Sequence, residues 1–264
     1  MRIYQVDAFT DRAFGGNPAA VCLLDEDRDD AWMQAVATEM NLSETAFLKR
    51  LDDGYSLRWF TPAVEVEQCG HATLAAAHIL WEEGEAAADQ PLRFHTRSGA
   101  VTAERTGRGI QIDFPAEAAT PLATVPGDLA EALGAKPVAA GRNRFDLLAE
   151  FADERMVRAL RPRFDLVDAL GVRGVIATAP AGPGSGYDFV SRFFAPSVGI
   201  DEDPVTGSAH CCLGPWWGGK LGRDELVGYQ ASRRGGAVNV RMAGDRVVFG
   251  GPAVTVLRGT ITSG

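Results

Sequence analysis

The sequence predicts an α+β protein in two halves of similar plan, each rich in short strands and carrying one buried helix. Three observations predict it. Short strand-like apolar runs separated by turn residues recur along the 264 residues. The stretch 193–213 opens on a strand-like run around Phe193-Phe194 and passes through an acidic turn, Asp201-Glu202-Asp203-Pro204. It ends in Gly207-Ser208-Ala209, which reads as a helix entrance. The same grammar occurs earlier. Leu57 to Phe60 reads as a strand closed by Thr61-Pro62, followed by Glu65-Val66-Glu67, Gly70-His71-Ala72 and an apolar helix over Leu74–Leu80. Pro204 fits the edge of the second helix, where a missing N–H costs least. Small residues at both helix starts leave backbone N–H groups unshielded, and such ends attract anions. Two facing helix starts of this kind would clamp a small carboxylate.

In chain order, Ile3–Thr10 reads as a strand, Phe14 to Pro18 as a turn, and Ala19–Leu24 as a second strand. Asp29-Asp30 open a helix to Met40, with Trp32, Met33, Val36 and Met40 at helical spacing on its inner face. The segment 41–48 leads into a third strand and Tyr55–Phe60 is a fourth, before a buried helix over 71–81. Strands follow at 92–96, 100–104 and 110–114. The Ala-, Pro- and Thr-rich segment 115–126 reads as a crossing between domains. The second half has short helices at 128–133 and 153–160, and strands near 145–149, 172–179 and 187–194. A helix then runs to about Lys220. A hairpin pairs 238–241 with 246–249, and a last strand spans 253–257. The expected domains are 1–117 and 118–252, with the strand around 253–264 returning to the first.

Composition narrows the function. Hydrophobic residues make up 46%, enough for a real core. A formal charge of −9, without a basic run, argues against a nucleic-acid partner. No apolar run approaches the length of a membrane span. The chain opens directly on a strand, with no leader pattern. Cys22, Cys69, Cys211 and Cys212 suggest neither a disulfide framework nor a zinc knuckle. The expectation is a cytoplasmic protein with no metal and no cofactor.

Four side chains could carry chemistry. Glu44 lies among Leu42, Ala46, Phe47 and Leu48, and a carboxylate in such surroundings can carry protons near neutral pH. It could equally be part of a capping box or a plain surface acid. His71 follows Gly70 at a helix entrance, where the dipole disfavours imidazolium; a hydrogen-bonded core histidine is the alternative. Asp203 precedes a proline and could serve only as a turn cap. Cys69, also at a helix start, is either an activated thiol or buried and inert. His78, with no acid expected at a suitable spacing, and His95 read as structural. No phosphate loop, dinucleotide fingerprint, two-histidine metal spacing or Gly-x-Ser-x-Gly elbow occurs. The residues alone point to a cofactorless carboxylate-and-histidine site at a clamp.

Four ordered motifs carry a resemblance. They are Gly16-Asn17-Pro18-Ala19-Ala20-Val21, Ser43-Glu44-Thr45-Ala46-Phe47, Cys69-Gly70-His71-Ala72-Thr73, and Glu202-Asp203-Pro204-Val205-Thr206-Gly207-Ser208-Ala209-His210. Together with Arg234-Gly235-Gly236 they make the sequence similar to the PhzF-like (phenazine-biosynthesis-protein-like) isomerases, within the diaminopimelate-epimerase fold. The resemblance implies two similar domains, each a β-barrel-like sheet wrapped round a central helix, with the site in the cleft between them, and a homodimer. It implies Glu44 as the acid/base, with His71 and Asp203 binding and orienting the substrate. Asn17, Gly70, Ala72, Gly207, Ser208 and Ala209 are expected to bind it as well. The reading is a cofactor-independent isomerase of a small carboxylate. Its alternatives are an epimerase using Cys69 and Asp203 as opposed bases, and a non-catalytic metabolite- or partner-binding protein.

Overall fold

The computed structural model describes residues 1–262. The chain divides into two compact units, one of Met1–Phe114 with Val248 onward, the other of Pro115–Val247. Each is a mixed α+β unit. The first contains strands β1 (Arg2–Ala8) and β2 (Asn17–Leu24), helix α1 (Asp30–Met40), and strands β3 (Glu44–Leu51), β4 (Gly54–Phe60) and β5 (Glu65–Val66). Helix α2 (Gly70–Glu82) and strands β6 (Leu92–Thr96), β7 (Gly99–Thr106) and β8 (Gly109–Pro115) follow. Next come β9 (Thr120–Pro121), α3 (Gly127–Leu133), β10 (Ala139–Arg142), β11 (Asp146–Glu150), α4 (Glu154–Ala159) and α5 (Phe164–Ala169). The chain continues through β12 (Gly174–Pro180), β13 (Phe189–Ala195), β14 (Ile200–Asp203) and α6 (Gly207–Leu221). It finishes with β15 (Glu225–Gln230), β16 (Gly236–Ala243), β17 (Arg246–Gly251) and β18 (Ala253–Thr260).

The two units repeat one ladder. In the first, β1 and β2 are antiparallel, β2 and β3 parallel, β3 and β4 antiparallel, β4 and β6 parallel, and β6 and β7 antiparallel. In the second, β10, β11, β12, β13, β15 and β16 follow the same alternation in the same order. Even the flanking pairs correspond, with β18 antiparallel to β1 and β9 antiparallel to β10. Parallel neighbours require a crossover, which here is helical. Helix α1 joins β2 to β3, and α4 with α5 joins β11 to β12. Helix α2 lies between β5 and β6, and α6 between β14 and β15.

The crossover helices α2 and α6 are the central ones. In α2 every residue from Gly70 to Trp81 except His78 is buried, and the helix packs on β1, β2 and β3. The Ala75-Ala76-Ala77 run makes close backbone approach possible on several faces at once. Gly218 in α6 serves the same end, because a Cβ there would meet Met242 Cε at 2.5 Å. Pro215 lies inside α6 and removes the N–H that would reach the carbonyl of Cys211. That carbonyl instead accepts from the backbone N–H of Glu117, at 3.0 Å. Among the described residues no helix is long and apolar enough to cross a membrane.

The structure differs from the sequence reading in several elements. The acidic segment at 200–203 is a strand, not a turn, with Asp203 opposite Phe193. Arg192 donates to both carboxylate oxygens of Glu202, at 2.7 and 2.8 Å, which neutralises the charge that made the segment look like a loop. Strands β5, β9, β10 and β15 and helix α5 were not anticipated, being too short or too mixed in pattern to stand out. His78 does have an acid at helical spacing: Glu82 Oε2 lies 3.6 Å from its Nε2. All four cysteines are buried, and none is in a disulfide. Burial pushes the Cys22 and Cys212 thiols up to about 12 and raises Cys211 as well.

Candidate active site

The parallel pairing of β2 and β3 sets Ala19 beside Glu44 and so brings the starts of both strands together. Asn17 opens β2, Glu44 opens β3, and both lie by the first turn of α2. Asn17 stands there because of a tight reversal before it. Gly16 has φ of +58°, and a Cβ on it would lie 2.0 Å from the carbonyl oxygen of Ala8. The buried Asp7 carboxylate secures the same loop, accepting the Phe14 N–H at 2.7 Å.

Three side chains meet around the imidazole of His71. Asn17 Nδ2 lies 3.2 Å from His71 Nδ1, and Cys69 Sγ lies 3.6 Å from the same nitrogen. On the far side of the ring, His71 Nε2 lies 3.2 Å from Glu44 Oε2. An amide nitrogen can only donate, so Nδ1 accepts and the ring proton resides on Nε2, the atom next to the carboxylate. His71 is 4% exposed, and burial pulls its pKa down to about 3. The positive end of α2 acts in the same direction. The histidine is therefore neutral near pH 7, with the Nε2 edge of its ring beside the Glu44 carboxylate.

No side-chain hydrogen bond from the N-cap Cys69 closes α2. The start of the helix, at Gly70, His71 and Ala72, thus offers main-chain N–H groups beside the histidine. Glu44, Cys69 and His71 also place a carboxylate oxygen, a sulfur and a ring nitrogen within 4.8 Å of one another, a donor set able to hold a metal ion. Linear spacing did not suggest it, since Glu44 comes from a different element than the other two.

Asp203, Gly207, Ser208 and Ala209 belong to the second unit. Asp203 ends β14 and is 7% exposed. Thr206, the N-cap of α6, turns its hydroxyl not to the helix but to Asp203, donating to Oδ2. Gln230, fully buried at the end of β15, binds the same turn. Its Oε1 accepts the Thr206 N–H at 2.9 Å, and its Nε2 donates to the Asp203 carbonyl at 2.8 Å and to Thr206 Oγ1 at 3.1 Å. His210 Nδ1 donates to the Thr206 carbonyl at 2.8 Å, and burial lowers its pKa to about 4.

Sequence reasoning assigned no role to Asp7, Thr206, His210 or Gln230. Thr206 and His210 stood inside a motif already singled out. Gln230 had only one signal, a polar residue ending a half-apolar run. His78 and His95 lie elsewhere in the first unit, His78 bonded to Thr255 Oγ1 at 3.0 Å and His95 3.1 Å from Asp53.

The chain is similar to several known proteins. A family model described as phenazine biosynthesis-like protein matches residues 6–259. An uncharacterised isomerase of Halalkalibacterium halodurans is 55% identical over 256 residues, covering 97% of this chain and 96% of its own. The crystal structure of a phenazine biosynthesis protein of the PhzF family from Enterococcus faecalis superposes with a TM-score of 0.92 at 40% identity, covering 98% of this chain and 97% of that one. A probable proline racemase from Agrobacterium radiobacter shares the fold at 11% identity, with a TM-score of 0.66 over 99% of this chain and 92% of that one.

Proposed function

We infer that this chain, which belongs to the phenazine biosynthesis-like protein family and is an isomerase, moves a proton between carbons of a small carboxylate without a cofactor. The observation that carries the reading is the Glu44 carboxylate set 3.2 Å from a histidine held neutral. Glu44 would take a proton from a carbon made acidic by an adjacent carbonyl or unsaturated system. The electron pair left behind delocalises into that system, and Glu44 returns the proton at another carbon. His71, with no accessible imidazolium at neutral pH, cannot exchange roles with the glutamic acid. Its Nε2 edge, 3.2 Å from Glu44 Oε2, positions the carrier. The N–H groups at Gly70–Ala72 and Gly207–Ala209 supply anion binding, and Asn17 and Asp203 are taken as groups that hold the substrate. The reading extends to a cytoplasmic homodimer.

A second reading uses Cys69 and Asp203 as opposed bases of an epimerase. What favours it is Cys69 Sγ at 3.6 Å from the accepting nitrogen of His71. Turnover of candidate carboxylates in D2O, followed by proton NMR, separates the two. A single carrier can return the migrating hydrogen to the same molecule, whereas two bases exchange it with solvent. Glu44→Gln should cost at least about 10⁴ in rate, at the upper end of what general acid–base catalysis supplies. Cys69→Ser should cost far less. A dead Cys69→Ser beside an active Glu44→Gln would replace the first reading by the second.

A further inference from the structure

We propose that Gln230 is a positioning residue, which sets the orientation of the Asp203 carboxylate through the Thr206 hydroxyl. This rests on the reading of Asp203 as a group that holds substrate.

The backbone determines which way the Gln230 amide faces. Its oxygen must face a donor, the Thr206 N–H, and its nitrogen must face an acceptor, the Asp203 carbonyl. With the amide so placed, its second N–H points at the Thr206 oxygen. That oxygen then uses a lone pair for Gln230, and its own hydrogen is directed to Asp203 Oδ2. One buried amide thereby selects the direction of the hydroxyl, and the hydroxyl selects the carboxylate rotamer.

Neighbouring groups reinforce the arrangement. His210 holds the Thr206 carbonyl from within α6. Ser232, two residues beyond Gln230, donates from Oγ to the Pro204 carbonyl at 2.8 Å. The start of the β15–β16 connection thus grips the Asp203–Thr206 turn at three successive peptide groups. Glutamate cannot replace Gln230 while ionised, since it presents a second acceptor to the Asp203 carbonyl and the Thr206 oxygen. A protonated carboxyl could supply one of the two donated bonds.

The test uses the full chain with Gln230→Glu, Thr206→Val and Thr206→Ser. The first readout needs no substrate: the Asp203 side-chain rotamer in crystals, and the protected hydroxyl proton of Thr206 in the proton NMR spectrum. In Gln230→Glu at about pH 8 the rotamer should change and the hydroxyl signal should vanish, and acidification should restore both in part. Thr206→Val should move Asp203 likewise, even where Gln230→Glu fails to fold, and Thr206→Ser should leave it in place. A native Asp203 rotamer in folded Gln230→Glu at about pH 8, or in Thr206→Val, overturns the proposal. The second readout is kcat and KM on any carboxylate that the native protein isomerises, found by proton NMR. Gln230→Glu should lose roughly 10²-fold in kcat/KM, the scale of a misplaced active-site group, with the loss shrinking toward acid pH. Thr206→Ser should recover most of what Thr206→Val loses. A displaced Asp203 with unchanged turnover would uphold the positioning and overturn the role given to Asp203 in the reaction.

Discussion

Asn17 Nδ2 and His71 Nδ1 lie 3.2 Å apart, across 54 residues of sequence, and this contact assigns the proton of the imidazole. Because the amide donates, the ring proton sits on Nε2 and faces Glu44. Asn17→Asp keeps the shape and replaces the donor by an acceptor. His71 should then carry a proton on Nδ1 and either turn a lone pair toward Glu44 or become imidazolium between two carboxylates. Nitrogen-15 shifts of His71 should report the change, and turnover should fall by roughly 10²-fold or more. A native-like tautomer with native turnover would refute this account of Asn17.

Stability should fall on mild acidification. His71 and His210 are held near 3 and 4 in the folded chain, against an ordinary 6.5. Between those values the unfolded chain binds protons that the folded chain refuses, so stability rises with pH there and levels off above about 6.5. At about pH 5 each histidine should cost roughly 2 kcal/mol relative to pH 8. Urea titrations at the two pH values check the sum, and His210→Gln should remove its share. Neither Cε1 proton should titrate above about pH 5.

Gly16→Ala should damage the fold and the site together. The added Cβ would meet the Ala8 carbonyl oxygen at 2.0 Å in a left-handed backbone. A loss of more than about 2 kcal/mol is expected in urea unfolding. The His71 environment should shift at the same time, because Asn17 is the next residue. A neutral substitution would mean that the reversal can relax without moving Asn17.

Pro215→Ala should stabilise far less than replacing a helix-interior proline ordinarily does, where the penalty relieved is about 3 kcal/mol. The Cys211 carbonyl already accepts from Glu117 N–H at 3.0 Å, so little is left to regain. Proline also restricts the unfolded chain, which offsets about 0.4–1 kcal/mol. A net change within about 1 kcal/mol in thermal unfolding is expected. A gain near 3 kcal/mol would show that the Glu117 bond does not compensate.

The two-part plan was readable because it is local. Each half repeats strand, acidic segment and small-residue helix within about thirty residues, and the buried helices declare themselves by having no polar face over Leu74–Leu80 or Cys211–Leu213. Glu44, His71, Cys69 and Asp203 were likewise visible as unusual residues at element boundaries. What could not be read was the strand identity of 200–203, because a run of acids looks like solvent-facing loop until Arg192 neutralises Glu202. Gln230 was equally hidden, its role depending on a strand pairing that no spacing announces.

By itself the sequence determined which residues have chemistry to offer and that two helix starts are bare of large side chains. These follow from composition and from periodicities of two and 3.6 residues, which act over a few positions. Only the tertiary structure decided that the parallel register of β2 and β3 seats Asn17 and Glu44 on opposite edges of one imidazole, and that burial leaves the ring neutral. Proton location depends on distances of about 3 Å and on loss of water, and both arise only when segments far apart in the chain are packed against each other.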